Sequence, residues 1–232
     1  MKTAIMQPYF FPYLGYFQLI FAVDLFIIYD NIQYTKQGWI NRNRILRNGK
    51  AVTLSLPLKG ASDYSDVRDR EISSDFDRDK LLNRIGAAYR KAPFFAGTYA
   101  LIESILMQEE NNLFRFLDHS LRRTCAHVGV STQFRVSSGI SIDHNKKKHD
   151  KVLALCRAVG TSTYINAIGG LQLYSSDEFF ARGITLQFIK AKPCEYCQFG
   201  DTFVPMLSII DVLMFNSIEQ VRSFIMDGYE LV

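Results

Sequence analysis

The segment 30–44, DNIQYTKQGWINRNR, gathers the side chains best suited to hold an anionic ligand rich in hydrogen-bonding groups. Arg42 and Arg44 alternate with Asn41 and Asn43, so in an extended backbone the two arginines share one face and the two asparagines the other. An arginine fork suits a phosphate, and the asparagine amides supply directional hydrogen bonds. Trp39, the only tryptophan, and Tyr34 offer flat faces on which a base stacks or a sugar packs. Asp30, Asn31, Gln33 and Lys36 complete the segment. It follows directly on an apolar run, and a strand end that turns abruptly polar is where α/β proteins tend to carry function.

A second candidate region opens the chain: MQPYFFPYLG, residues 6–15. Gln7 and Tyr9 sit between a short apolar run and a helix expected to begin near Gly15. The start of such a helix presents free N–H groups and the positive end of its dipole, which favour an anion. The Phe residues of this stretch read as core, with Pro8 and Pro12 shaping a turn. The most basic run is Lys146, Lys147, Lys148 and Lys151, flanked by His144 and His149, in a loop that opens a helix, where Lys148 could meet a phosphate. The same run also reads as a solvated face. Gly169-Gly170 permits close ligand approach, but the chain has neither a GxGxxG nor a GxxxxGK[ST] fingerprint. Cys194-Glu-Tyr-Cys197 is a lone CxxC without the further ligands of a zinc site, so no metal is expected. No Gx-Ser-xG elbow and no recognisable Cys–His pair suggest a nucleophilic hydrolase.

These groups need elements to place them. Residues 3–6 and 25–29 (LFIIY) read as buried strands flanking a helix over 15–23, which makes a βαβ opening. Asn48-Gly49 between two strand-like runs signals a hairpin. A polar loop over 60–76, with a brief strand at Ile72, leads into three helices at about 77–91, 95–109 and 112–128. Strands then alternate with helices: 134–136, helix 151–159, strand 163–165, helix 175–182, strand 184–189, and helices over 208–215 and 218–226. The expectation is one α/β domain over 1–232, with a Rossmann-like, mostly parallel sheet, a β-hairpin and a helical insertion at about 77–128.

Bulk composition sets outer bounds. The chain has 232 residues, of which 48% are hydrophobic, with a net charge of +4, which suits an anionic small ligand as readily as a nucleic acid. No apolar window reaches the roughly 18 residues needed to span a bilayer. Pro8 and Pro12 interrupt the N-terminal apolar run and no small-residue cleavage site follows, so a signal peptide is not expected and the cytoplasm is.

MQPYFFPYLGYFQLI, DLFIIYDNIQYTKQGWINRNRI, AYRKAPFF and FVPMLSIIDVLMFN together resemble the WbqC-like family across residues 4 to about 216. The resemblance implies a place in bacterial O-antigen or other surface-polysaccharide synthesis, on a nucleotide-linked sugar. From it we expect a cytoplasmic transferase that acylates or aminoacylates the amino group of a nucleotide-linked amino-deoxysugar. Its donor would be a coenzyme A thioester, a carrier-linked acyl group or an aminoacyl-tRNA; its partners would include neither DNA nor a membrane span. Under that reading Arg42, Arg44 and Lys148 hold the diphosphate, and Gln33, Asn41 and Asn43 orient the sugar. Lys36, Trp39, Gln7 and Tyr9 line the site, and Asp30, or else Asp211, is the general base. The family pattern Pro-x-Tyr-x-Gln stands here as Pro193-Cys-Glu-Tyr196-Cys-Gln198, one residue longer, and implies substrate contacts for Tyr196 and Gln198. Two alternatives stand beside this reading. One is a Mg²⁺-dependent nucleotidyltransferase, since the opening is similar to the HIGH superfamily, although the histidines of that loop are missing. The other is a non-catalytic nucleotide-sugar-binding protein.

Overall fold

The computed structural model describes residues 1–62, 64–200 and 202–232; of the loop expected over 60–76, Asp63 lies outside the described residues. The chain opens as expected with β1 (Lys2–Met6), α1 (Leu14–Phe21) and β2 (Leu25–Ile28). All four residues of β2 are buried, which is what an uninterrupted apolar run between two aspartates requires of a strand covered on both faces. The hairpin pairs β3 (Arg42–Arg47) with β4 (Lys50–Ser55), and both loop residues, Asn48 (φ 51°) and Gly49 (φ 71°), adopt the left-handed conformation that a tight hairpin demands. Ile72 forms an isolated bridge with Leu58 where a brief strand was expected.

Helices α2 (Arg78–Tyr89), α3 (Phe95–Leu106) and α4 (Leu113–Val128) follow the hairpin. Then come β5 (Gln133–Val136), α5 (Lys148–Ala158), β6 (Thr163–Ala167), α6 (Ser176–Phe180) and β7 (Thr185–Ala191). The chain closes with α7 (Ile209–Phe215), α8 (Ile218–Asp227) and β8 (Tyr229–Leu231). β8 is a strand that the sequence reading did not anticipate. It adds antiparallel to β7 through only three residue pairs.

The main sheet runs β5-β2-β1-β6-β7-β8, with every neighbouring pair parallel except β7–β8. Counting only its own strands in chain order, this is 3-2-1-4-5-6, the order of doubly wound dinucleotide-binding sheets. Alternation along the strands feeds two cores. Ala4, Phe26 and Ile28 point into a large core shared with α1, the three inserted helices and the closing pair. Ile5, Leu25 and Ile27 point into a smaller one with α5 and Phe179 of α6. The order reverses between β1 and β6, whose pairing covers only Lys2↔Thr163 and Thr3↔Tyr164. Beyond those two pairs the strands part toward their carboxyl ends and leave a crevice.

Candidate functional site

A cavity of about 480 Å³ lies at that crevice. Ile5, Met6 and Gln7 from β1 and its loop form one wall, and Asn166, Ala167, Gly169 and Gly170 from β6 and its loop form the other. This is the topological switch point, where open α/β sheets bind their ligands. Gly170 is required by packing: a Cβ there would lie 2.3 Å from the amide Nδ2 of Asn166, and Asn166 is itself fixed by Ala167 N–H donating to its Oδ1 (2.9 Å).

The β1–α1 loop carries the aromatic wall, and its shape is held by buried polar contacts. Phe11 sits at φ 41°, in the left-handed region that a bulky side chain avoids. Its carbonyl accepts from Asn43 Nδ2 (2.7 Å) and Ser208 Oγ (2.7 Å), and the Phe10 carbonyl accepts from the same Asn43 amide (3.0 Å). Gln7 Nε2 donates to Tyr9 Oη (2.9 Å), while Tyr16 Oη donates to the Gln7 carbonyl (2.9 Å). The loop delivers the chain into α1 at Tyr13, whose side chain makes no capping bond, and the first turn of the helix carries no acidic residue. Gly15 lines the cavity, so the positive end of α1, uncapped by any described side chain, borders it.

Across the mouth stands Trp39, with the Arg44 guanidinium 5.2 Å and that of Arg42 5.9 Å from its ring centroid. Arg44 Nη2 donates to the Met206 carbonyl (3.1 Å), and its buried Nε has no hydrogen-bond partner among the described residues. Tyr9, Tyr13, Tyr16, Tyr29 and Tyr174 also line the cavity. Burial raises the hydroxyl pKa of Tyr13, Tyr16 and Tyr174, and pushes that of Tyr29 to about 12. All four stay neutral phenols near pH 7, offering stacking faces and hydrogen bonds but no negative charge. Among the described residues that line the cavity, Arg44 alone carries a charge, and none is a carboxylate, imidazole or thiol. Electrostatics therefore favour an anion beside α1 and Arg44, with a flat or ring-shaped body against the aromatics.

Of the residues singled out by sequence, Gln7, Tyr9, Trp39, Asn43 and Arg44 line this cavity. Arg42 is not among the lining residues, and its Nε and Nη2 donate to the carbonyls of Gly38 and Gln37. Asn41 accepts from Tyr34 Oη (2.8 Å) and donates to the Leu56 carbonyl (2.8 Å), a role in the hairpin base. Gln33, which pairs with Asp66 in an isolated bridge, and the exposed Lys36 and Lys148 are not among the lining residues. Tyr13, Tyr29, Asn166, Tyr174 and Met206 were not singled out. The only sequence signal for the β6 side was the glycine pair after a buried strand.

Neither candidate base faces the cavity. Asp30 is 2% exposed, and its Oδ1 accepts from Ser137 Oγ (2.7 Å) and Ser138 N–H (2.9 Å) while Oδ2 accepts from Ser138 Oγ (2.6 Å). With Lys151 Nζ on the Asn31 carbonyl (2.8 Å) and His144 against the Asn31 amide (2.9 Å), it ties the carboxyl ends of β2 and β5 together. Asp211 is fully buried in α7. Its Oδ1 accepts from Tyr89 Oη (2.7 Å), and its Oδ2 from Tyr196 Oη and Gln198 Nε2 (2.7 Å each). Burial outweighs those three donors and holds its carboxyl pKa above 3.8. Gln198 in turn clasps both backbone groups of Val204, so Asp211 anchors Tyr196 and Gln198 directly and Val204 through Gln198. Among the described residues no group of three His, Cys, Asp or Glu side chains could hold a metal ion, and no helix is long and apolar enough to cross a membrane.

The chain is 28% identical over 219 residues to the uncharacterized protein Rv1507c of Mycobacterium tuberculosis, with 93% of each chain covered. No solved structure matches it significantly. The model of the WbqC-like protein family matches residues 7–223, a span that holds all the lining residues of the switch-point cavity except Ile5 and Met6, and the chain belongs to that family.

Proposed function

We propose that the switch-point cavity binds a nucleotide-linked amino sugar and that the protein is a transferase acting on its amino group, in surface-polysaccharide synthesis. The observation that carries the reading is the convergence of an uncapped α1 N-terminus and the Arg44 Nε, unpartnered among the described residues, on one aromatic cavity. A diphosphate satisfies both donors at once. Trp39 and the tyrosines take the base and the sugar ring, and the Gln7 and Asn166 amides orient sugar hydroxyls.

Transfer requires only that the amine be held against an acyl carbon. The N–C bond forms as the acyl group's bond to its leaving atom breaks, and the proton shed by nitrogen passes to that atom. Position is then the main contribution of the protein. We do not assign Asp30 the role of base, because the donors of Ser137 and Ser138 occupy both of its oxygens. The absence of a carboxylate or imidazole among the described lining residues favours, as a second reading, a protein that binds the nucleotide sugar without turning it over. The same absence leaves the wall without a carboxylate pair to hold the Mg²⁺ of nucleotidyl transfer.

Native mass spectrometry with UDP-, dTDP- and GDP-linked amino sugars tests the reading. A retained nucleotide sugar supports it, and a mass gain on the sugar after acyl donors are added separates the transferase from the binder. No retention of any of the three contradicts both.

A further inference from the structure

A second cavity, of about 650 Å³, lies beyond the carboxyl end of β7 and shares Tyr13, Gly15 and Met206 with the first. Its wall is mostly apolar, from Leu14, Pro193, Tyr196, Phe203, Leu207 and Val212. Lys190, Lys192 and Glu195 supply its charges. Lys190 is paired with Glu230 (3.0 Å), whereas Lys192 donates to the Asp227 carbonyl (2.9 Å) and has no ion-pair partner among the described residues.

Gln18 also forms part of this wall, and it is 1% exposed. Its Nε2 donates to the carbonyls of Phe224 (2.8 Å) and Gly228 (2.9 Å). Both amide hydrogens are thereby used, and two facing carbonyls fix which end of the amide is nitrogen. Gly228 makes room for the arrangement, since a Cβ there would lie 2.7 Å from Gln18 Nε2. The Oε1 that remains is buried and has no partner among the described residues. A buried acceptor held rigidly without a donor is uncommon, and a ligand N–H would satisfy it.

We propose that the second cavity binds the pantetheine arm of an acyl thioester. Gln18 Oε1 accepts an amide N–H of the arm, and the thioester carbon reaches the Tyr13–Gly15–Met206 boundary. The arm matches the cavity in three respects: it is slender and largely apolar, it carries amide N–H groups, and its phosphate end suits Lys192. The reactive end rests on the amino-sugar reading of the first cavity. There the sugar nitrogen bonds to the acyl carbon, the C–S bond breaks, and the nitrogen's proton goes to the departing sulfur.

Cys194 lines this cavity while Cys197, three residues on, is exposed, which gives a built-in footprint. The experiment is iodoacetamide labelling of the full chain at mildly alkaline pH, resolved at each cysteine by mass spectrometry, with acetyl-coenzyme A or an acylated pantetheine-bearing carrier protein as probe. At saturation we expect labelling of Cys194 to slow at least fivefold with Cys197 unchanged. Protection by acetyl-coenzyme A assigns the free coenzyme, and protection by the carrier alone assigns the protein-held arm; either supports the site. Pro205→Trp, on the exposed loop of the wall, and Gln18→Met should each abolish the protection. No protection by either probe, protection only by an aminoacyl-tRNA, or protection that survives Pro205→Trp overturns the proposal. Titration of the nucleotide sugar is scored separately: its failure with Cys194 still protected sinks the first reading alone, and the converse sinks this one alone.

Discussion

The two cavities share three residues, yet their walls offer opposite things. The switch-point cavity has unused donors, at the uncapped α1 N-terminus and the buried Arg44 Nε, set among tyrosines kept neutral by burial. The cavity beyond β7 has an unused acceptor, the buried Gln18 Oε1, in an apolar slot. A single ligand would have to present an anion to one cavity and an N–H donor to the other. Two ligands meeting at Gly15 explain the division more simply. The supports differ as well: Asn43 and Ser208 hold the loop of the first cavity, and Asp211 holds the segment that walls the second.

That separation can be broken one support at a time. Asp211→Ala should have the largest effect, because it leaves Tyr89, Tyr196 and Gln198 without their acceptor; we expect a loss of about 3–5 kcal/mol by denaturant unfolding. In the folded fraction Cys194 should become more reactive while nucleotide-sugar binding is retained. Equal damage to both cavities would mean they are one unit. Asn43→Ala should cost about 2–3 kcal/mol through the two carbonyls it abandons, one of them on the strained Phe11. Its effect on binding should be the mirror image, weakening the nucleotide sugar and sparing the Cys194 footprint.

Trp39→Ala removes one stacking face and should weaken nucleotide-sugar binding by about 1–2 kcal/mol, with little change in stability, since Trp39 is 36% exposed. Unaltered affinity by calorimetry would take Trp39 out of the site. The smallest effect concerns pH. Asp211 has a raised carboxyl pKa in the fold, so the folded chain holds its proton more tightly than the unfolded one. Its contribution to stability is therefore fullest below pH 3.8 and declines as pH rises through the raised value. The stability advantage of the wild type over Asp211→Asn should shrink across that window and then level off. An advantage that grows with pH would show that the three donors, and not burial, dominate the carboxylate.

Much of the framework was legible because its signals are local. LFII between two aspartates, Asn-Gly between strand-like runs and the spacing of the inserted helices each decide their own conformation. β8 was not legible, because three residues take strand form only through pairing with β7. The site was legible in part. Density of polar groups after β2 pointed to a segment that borders the switch-point cavity, but only the fold separates Arg44, which lines the cavity, from Arg42 and Asn41, which bind backbone carbonyls nearby. Asp30 showed the same limit: a carboxylate at a strand end has the residue type of a base, and the turn at Ser137–Ser138, more than 100 residues away in sequence, takes up its oxygens. Tyr29, Tyr174, Asn166 and Met206 converge only because β1 and β6 part at the switch point, which no local pattern encodes.

The most direct test of the central claim is calorimetric titration of a UDP-, dTDP- or GDP-linked amino sugar into the wild type and Arg44→Ala, with the fold of each checked by circular dichroism. The account predicts binding by the wild type and a loss of about 1.5–3 kcal/mol in the variant, roughly a 10- to 150-fold rise in Kd. Equal affinity in the two proteins would contradict an anion site at the switch point.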